Sequence, residues 1–196
     1  MISGLSLRRR AVLLGLLALT AQAKPGWGLP QLMAALAATR SATASFTERD
    51  TSPVLSAPLI SMGTLTYVAP GYLSKQTATP VSSLFTLRNG QVTLMEGGAT
   101  RQFALDEDPR IAGLVEAIRG TLAGDLPALQ RYYSLTLTGS AAAWRLRLVP
   151  RNPALAAFVQ SVAIGGSQGQ VTSIDTLSTD GAESRMSIRP ARAHAP

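Results

Sequence analysis

The chain reads as a mainly β, α+β protein: one antiparallel sheet or barrel whose single apolar face is covered by a few helices. Three observations lead there. Nine to eleven short runs alternate apolar and polar residues, as in Leu65 and Tyr67 among Thr64 and Thr66. That period of two belongs to strands with one buried face. Turn signals separate the runs at about 8–12 residues, the spacing of all-antiparallel folds. Convincing helical periodicity occurs in few places, so those helices must cover the dry face.

Not all 196 residues belong to that domain. Arg8-Arg9-Arg10, an apolar run over 11–19 and the small-residue site Ala21-Gln22-Ala23 read as a cleaved secretory signal over 1–23, with an uncleaved inner-membrane anchor as the second reading. The apolar run is shorter than the ~20 residues a spanning helix needs. The remaining 24–196 reads as one domain, with 191–196 as a frayed tail. Without the three leader arginines, 15 basic side chains face 11 acidic ones, a net charge of +4. Those basic residues are scattered, so no nucleic-acid footprint is expected. Cysteine is absent. Neither a disulfide framework nor a lipid-anchoring cysteine is available, and the expectation is a free monomer in the exported compartment.

Taken in order, Gln31 to Arg40 predicts a helix with Leu32, Met33 and Leu36 on one face and Pro30 at its start. Ser41 to Arg49 predicts a strand with Phe46 inward, and Thr51 to Pro58 a loop. Gly63 to Lys75 is the centre of the pattern: two strands around Pro70-Gly71, the second ending at Pro80. Leu84 to Met95 predicts a hairpin about Asn89-Gly90, the strongest short-range hairpin signal. Gly97-Gly98 turns the chain into a strand over 100–105, with Phe103 and Leu105 on one face.

Asp106-Glu107-Asp108-Pro109 opens the best helix. Acids favour the positive end of the helix dipole. Ile111, Leu114, Val115, Ile118 and Leu122 form its apolar stripe, and Gly120 and Gly124 weaken or end it. Asp125 caps a short helix reaching Gln130. Tyr133, Leu135 and Leu137 predict a strand, Gly139-Ser140 a turn, and Trp144, Leu146 and Leu148 the next strand. Asn152 to Gln160 predicts a helix grouping Leu155, Phe158 and Val159. Strands over 162–165 and 171–177 flank a Gly-rich turn. Asp180-Gly181 precedes a last strand carrying Met186 and Ile188.

Catalytic chemistry has little to work with. The one histidine, His194, lies in the tail, and there is no thiol. A Ser-His-Asp or Cys-His arrangement is unavailable, and no metal-binding motif occurs. Asp106-Glu107-Asp108 could be a cation site, but a helix N-terminus explains it more simply. Trp144 reads as a packing anchor, and Arg145 and Arg147 as a solvated strand face. The chain is therefore expected to be no enzyme and to need no cofactor. What remains is an apolar concave face, either plain core or a site for an apolar ligand.

The series Ala44-Ser45-Phe46-Thr47-Glu48, Gly63-Thr64-Leu65, Pro70 with Leu73, Asn89-Gly90 and Trp144 to Pro150 resembles the periplasmic outer-membrane lipoprotein carriers, the LolA family. The nearer likeness is to a LolA-like branch, through Pro58-Leu59, Gly63, Leu65, Tyr67, Pro70, Leu73-Ser74-Lys75 and Pro80. The resemblance implies a strongly curved sheet, an incomplete barrel, with helices inside it as a lid over a hydrophobic cavity. It implies acyl-chain binding by Phe46, Leu65, Tyr67, Leu73, Phe85, Phe103, Leu135, Leu137, Leu146, Leu148, Met186 and Ile188. The lid would be the stripe Ile111, Leu114, Val115, Ile118 and Leu122, although periodicity alone fits a core helix equally well. Implied partners are lipid-modified proteins or lipids, such as glycolipids or polyene lipids, an inner-membrane ABC-type releasing complex and an outer-membrane receptor. A second role for the same fold is a binding module that senses lipid or envelope stress. One departure stands out: the family's lid-latching arginine is replaced by Ala69, and Arg40, Arg49 and Lys75 are the substitutes considered.

Overall fold

The computed structural model describes residues 26–191. The leader over 1–23 and the tail over 192–196, with His194, lie outside the described residues. Eleven strands form one sheet in the order β6-β5-β4-β3-β2-β1-β11-β10-β9-β8-β7. They are β1 Ser41–Thr51, β2 Leu59–Val68, β3 Tyr72–Thr79, β4 Ser83–Arg88, β5 Gln91–Glu96, β6 Ala99–Ala104, β7 Tyr133–Ser140, β8 Ala143–Pro150, β9 Val159–Ser167, β10 Gln170–Ser178 and β11 Glu183–Pro190. Every pairing is antiparallel. The sheet is open, because β6 and β7 remain unpaired on their outer edges.

Two features set the topology apart from a plain meander of consecutive strands. One is the central β1–β11 pair. The other is the long connection from edge strand β6 to edge strand β7, which carries α2 Pro109–Ala123 and α3 Leu126–Tyr132. Helix α1 Leu29–Ala37 leads into β1, and the single turn α4 Pro153–Ala156 links β8 to β9.

Local chemistry accounts for most boundaries. Asn89 and Gly90 both take positive φ, as a tight hairpin turn requires. Gly124 adopts φ +66 and ends α2, and its amide bonds the carbonyls of Gly120 and Thr121. The Asp106-Glu107-Asp108 cluster serves the start of α2. Glu107 Oε1 accepts from the Ala104 amide, and Asp108 Oδ1 accepts from the Arg110 amide. Asp125 caps α3, which runs on to Tyr132, past the expected Gln130.

Two expectations are corrected. The reversal after β7 falls at 141–142, because Gly139 and Ser140 still pair with Trp144 and Ala143. The helix expected over 152–160 shrinks to α4. Val159 opens β9, and Phe158 is half exposed, with the Arg110 guanidinium 5.0 Å from its ring centroid.

The interior divides into two apolar clusters. The larger joins Leu32, Met33 and Leu36 of α1 to Leu129 of α3, Leu155 of α4 and Leu146, Leu148 and Ile164 of the sheet. The smaller joins Tyr67, Leu73, Leu87 and Val92 to Val115 of α2. Helix α2 touches both. Its small residues Gly113, Ala117 and Gly120 are buried. A Cβ on Gly120 would stand 2.9 Å from Leu129 Cδ2, and one on Gly113 only 2.4 Å from Leu155 Cδ2. The glycine that sequence marks as a weak point in the helix is thus where α3 approaches closely. Tyr133 ties the same helix to β7, its hydroxyl donating to the Gly113 carbonyl at 2.8 Å. Burial pushes that hydroxyl's pKa upward.

Candidate apolar cavity

Between the two clusters lies a cavity of about 570 Å³. That is within the size range of pockets for small organic ligands, about 300–1,000 Å³. Strand register explains its walls. Ala44, Phe46 and Glu48 of β1 share a face with Leu65 and Gly63 of β2, and with Ile188 and Met186 of β11. Leu65 stands opposite Lys75, and Lys75 opposite Phe85, so the same face continues across β3 and β4. On the other side, Met186 pairs with Ile174 and Ile174 with Ile164. Helix α2 closes the roof with Leu114, Val115, Ile118 and Leu122. Leu114, Ile118 and Leu122 are only half-buried, whereas the small-residue side of the helix is sealed. The larger apolar side chains of α2 therefore line a space instead of filling one.

The residues named from sequence fall into two groups. Leu65, Tyr67, Leu73, Phe85, Met186 and Ile188 line the cavity, as do Leu114, Val115, Ile118 and Leu122. The others stand elsewhere. Leu146 and Leu148 are fully buried in the larger cluster. Phe46 belongs to that cluster too, with its ring against Gly63 and the Lys75 ammonium 5.1 Å from its centroid. Leu135 and Leu137, on edge strand β7, pack against the same cluster, and Phe103 and Ile111 pack against the smaller one. Lining residues that sequence reasoning missed include Val162, Ile164, Val171 and Ile174, together with Glu48, Lys75, Thr176 and Ser184. Ile174 and Thr176 alternate on β10, which is the signal that would have found them. The flanking β9 hides its own signal, because Ser161, Val162, Ala163 and Ile164 are all buried and the period of two is lost.

Two polar features interrupt this interior. The Tyr67 hydroxyl is buried without a hydrogen-bond partner among the described residues. Burial raises its pKa, against the opposing pull of Arg119 and Arg40. Glu48 and Lys75 form an ion pair on the cavity wall, with Ser184 Oγ donating to the second carboxylate oxygen at 2.8 Å.

The roof helix is tied down by an arginine. Arg119 of α2 holds Glu116 through two hydrogen bonds at 2.9 and 2.7 Å and approaches Asp125 at 3.7 Å. It also makes a long 3.5 Å bond to the Pro70 carbonyl in the β2–β3 turn. None of the substitutes considered from sequence bridges α2 to this turn. The Arg40 carbonyl accepts from the Ala69 amide, Lys75 is engaged by Glu48, and Arg49 lies on β1 beyond the cavity lining. The tie comes from the helix to the strand turn, and its sequence signal is the i,i+3 pair Glu116/Arg119. Among the described residues no group of His, Cys, Asp and Glu could hold a metal ion. No described helix is long and apolar enough to cross a membrane.

The model of a family described as outer membrane lipoprotein carrier protein LolA-like matches residues 21–195. The chain belongs to this LolA-like family. No curated protein sequence matches it. Solved structures similar to the LolA-like chain include a LolA superfamily protein from Nitrosomonas europaea. It is 10% identical, with 82% of this chain and 89% of that one covered and a TM-score of 0.46. A DUF1329 family protein from Desulfovibrio piger is 9% identical, with 85% and 92% covered and a TM-score of 0.46. The MucA/MucB complex of Pseudomonas aeruginosa is 16% identical, with 86% of this chain and 58% of that one covered and a TM-score of 0.46.

Proposed function

We propose that this LolA-like chain is an exported carrier that shields the acyl chains of lipid-modified cargo between two membranes. The observation that carries the reading is the apolar cavity under α2, roofed by half-buried Leu114, Ile118 and Leu122. Moving one acyl CH₂ from water into such a site is worth about 0.8 kcal/mol. Two or three chains amount to tens of kcal/mol before ordering costs. Cargo of that kind does not cross an aqueous compartment unshielded. Carriage requires no bond chemistry, consistent with a cavity lined mostly by aliphatic and aromatic side chains, with hydroxyls, Gln170 and one ion pair among them.

In this reading the leader over 1–23 directs export to the periplasm, where the domain acts as a monomer. The cargo is the acylated end of a lipoprotein or a free lipid. An inner-membrane ABC-type complex hands it over, and an outer-membrane receptor takes it. Delivery follows from a receptor site that favours the chains more, since a ligand moves toward the state of greater affinity. The test is native mass spectrometry of the protein purified from the exported fraction of its own host. Stoichiometric lipid or lipoprotein is expected. A protein that carries no apolar ligand, and takes none up from added acyl lipids, would end the proposal.

A further inference from the structure

The cavity has a polar end, and its chemistry narrows the ligand class. Resting on the carrier reading above, we propose that Glu48, Lys75, Thr176 and Ser184 form a headgroup site for an acyl lipid with an uncharged, hydroxyl-bearing headgroup.

Register builds this end. Thr176 of β10 pairs with Ser184 of β11, and Ser184 with Asp50 of β1, one step along the same face from Glu48. Glu48 faces Ser61 of β2, and Thr77 of β3 faces Ser83 of β4. Five adjacent strands beside Glu48 thus carry hydroxyls at one end of the concave face. Further along the same strands that face carries Ala44, Leu65 and Ile188. An amphiphile lying along it with its headgroup at Glu48 sets its chain against this aliphatic carbon, and Thr39, Ser41 and Gln170 line the far mouth.

The ion pair decides between headgroups. Among the described residues Glu48 and Lys75 are the only charged residues lining the cavity, so that lining is neutral, and Asp50 stands one step further along the face, outside it. The Glu48 side chain is only 13% exposed, and it already accepts from both Lys75 and Ser184. An anionic headgroup at Lys75 would lie beside the Glu48 carboxylate. A cationic one at Glu48 would have to displace the lysine. Either leaves a poorly solvated charge uncompensated, which is strongly disfavoured. A neutral hydroxyl does neither. It can accept from a remaining Lys75 N–H while donating to a Glu48 oxygen or to the Thr176 hydroxyl, and bonds to charged groups are the stronger kind.

The experiment is competitive displacement of an apolar fluorophore from the full exported chain. The competitors are monopalmitoylglycerol, palmitate and hexadecylamine, at about pH 8 where the last two are charged. Monopalmitoylglycerol is expected to displace at concentrations about tenfold lower than either charged lipid, the effect of one good hydrogen-bonded contact. In the double variant Glu48→Met/Lys75→Met that preference should collapse to about twofold or less. Equal or better displacement by a charged lipid, or a preference unchanged in the variant, overturns the proposal and leaves the carrier reading standing. If no lipid displaces the fluorophore, both readings fall together. Should the double variant not fold, Thr176→Val/Ser184→Ala decides: a reduced preference supports the headgroup site and an unchanged one overturns it.

Discussion

Asp108 shows how much of the roof helix depends on one side chain. It caps α2 and also holds the guanidinium of Arg110, with Oδ1 at 2.9 Å from Nε and Oδ2 at 2.6 Å from Nη2. The Arg110 hydrogen bond is the main reason its carboxyl pKa falls from 3.8 to about 2. A carboxyl with a depressed folded-state pKa contributes stability that is fully present above the unfolded value. That contribution is lost as pH falls through the folded value. The cap should therefore remain intact through mild acid and fail only as pH approaches 2. Carboxyl-carbon NMR of Asp108 should show this titration, and Arg110→Gln should move its midpoint up toward 3.8. A midpoint that stays put would assign the shift to the backbone amides instead. At this scale the sequence was legible, since an aspartate directly before Pro109 announces a helix start. Illegible was the role of Arg110, whose charge faces both the cap and the Phe158 ring.

Elements were read from sequence wherever one face alone is buried. The β1–β6 run and the β10–β11 hairpin follow their apolar alternation and turn residues, although β2 begins at Leu59, four residues before the expected Gly63, and Leu105 falls just past β6. The pattern misleads at β9, where burial of successive residues erases the period, and at 152–160, where apolar spacing mimics a helix. For α2, the large apolar stripe was visible and the small-residue stripe behind it was not. Gly120 looks like a weak point until α3 is placed against it, and Gly113 likewise makes room for Leu155 of α4. The tie through Arg119 was missed for a related reason: which strand turn a helix reaches is a tertiary fact. Glu116 is 7% exposed and depends on that arginine. Arg119→Met would leave its carboxylate without its partner, at a cost of about 1–3 kcal/mol. Chemical denaturation should register that loss. Hydrogen exchange should show α2 amides opening faster relative to those of β1 and β11. Adding Glu116→Gln should recover most of the stability. If α2 exchanges at the wild-type rate, the arginine is an ordinary surface cation and the helix is held by packing alone.

For the whole molecule, the question is whether α2 roofs a cavity or completes a core, and two leucines separate these cases. Leu129 of α3 is fully buried inside the larger cluster, so a carboxylate there has no route to water. Burying an unpaired charge is among the most destabilising changes available. Leu114 of α2 is half-buried and lines the cavity. A glutamate there can stay hydrated within the same space that an acyl chain would occupy. Leu114→Glu is therefore expected to keep the far-UV spectrum and a cooperative melt, while acyl-lipid affinity falls at least about tenfold, or 1.4 kcal/mol. Leu129→Glu is expected to abolish folding outright. A roof and a core differ in where a charge is tolerated and not in how apolar they look. If Leu114→Glu unfolds the protein as completely as Leu129→Glu, α2 is core on both faces. The space beneath it would then be too poorly hydrated to admit a charge, and no lipid would enter by displacing that helix.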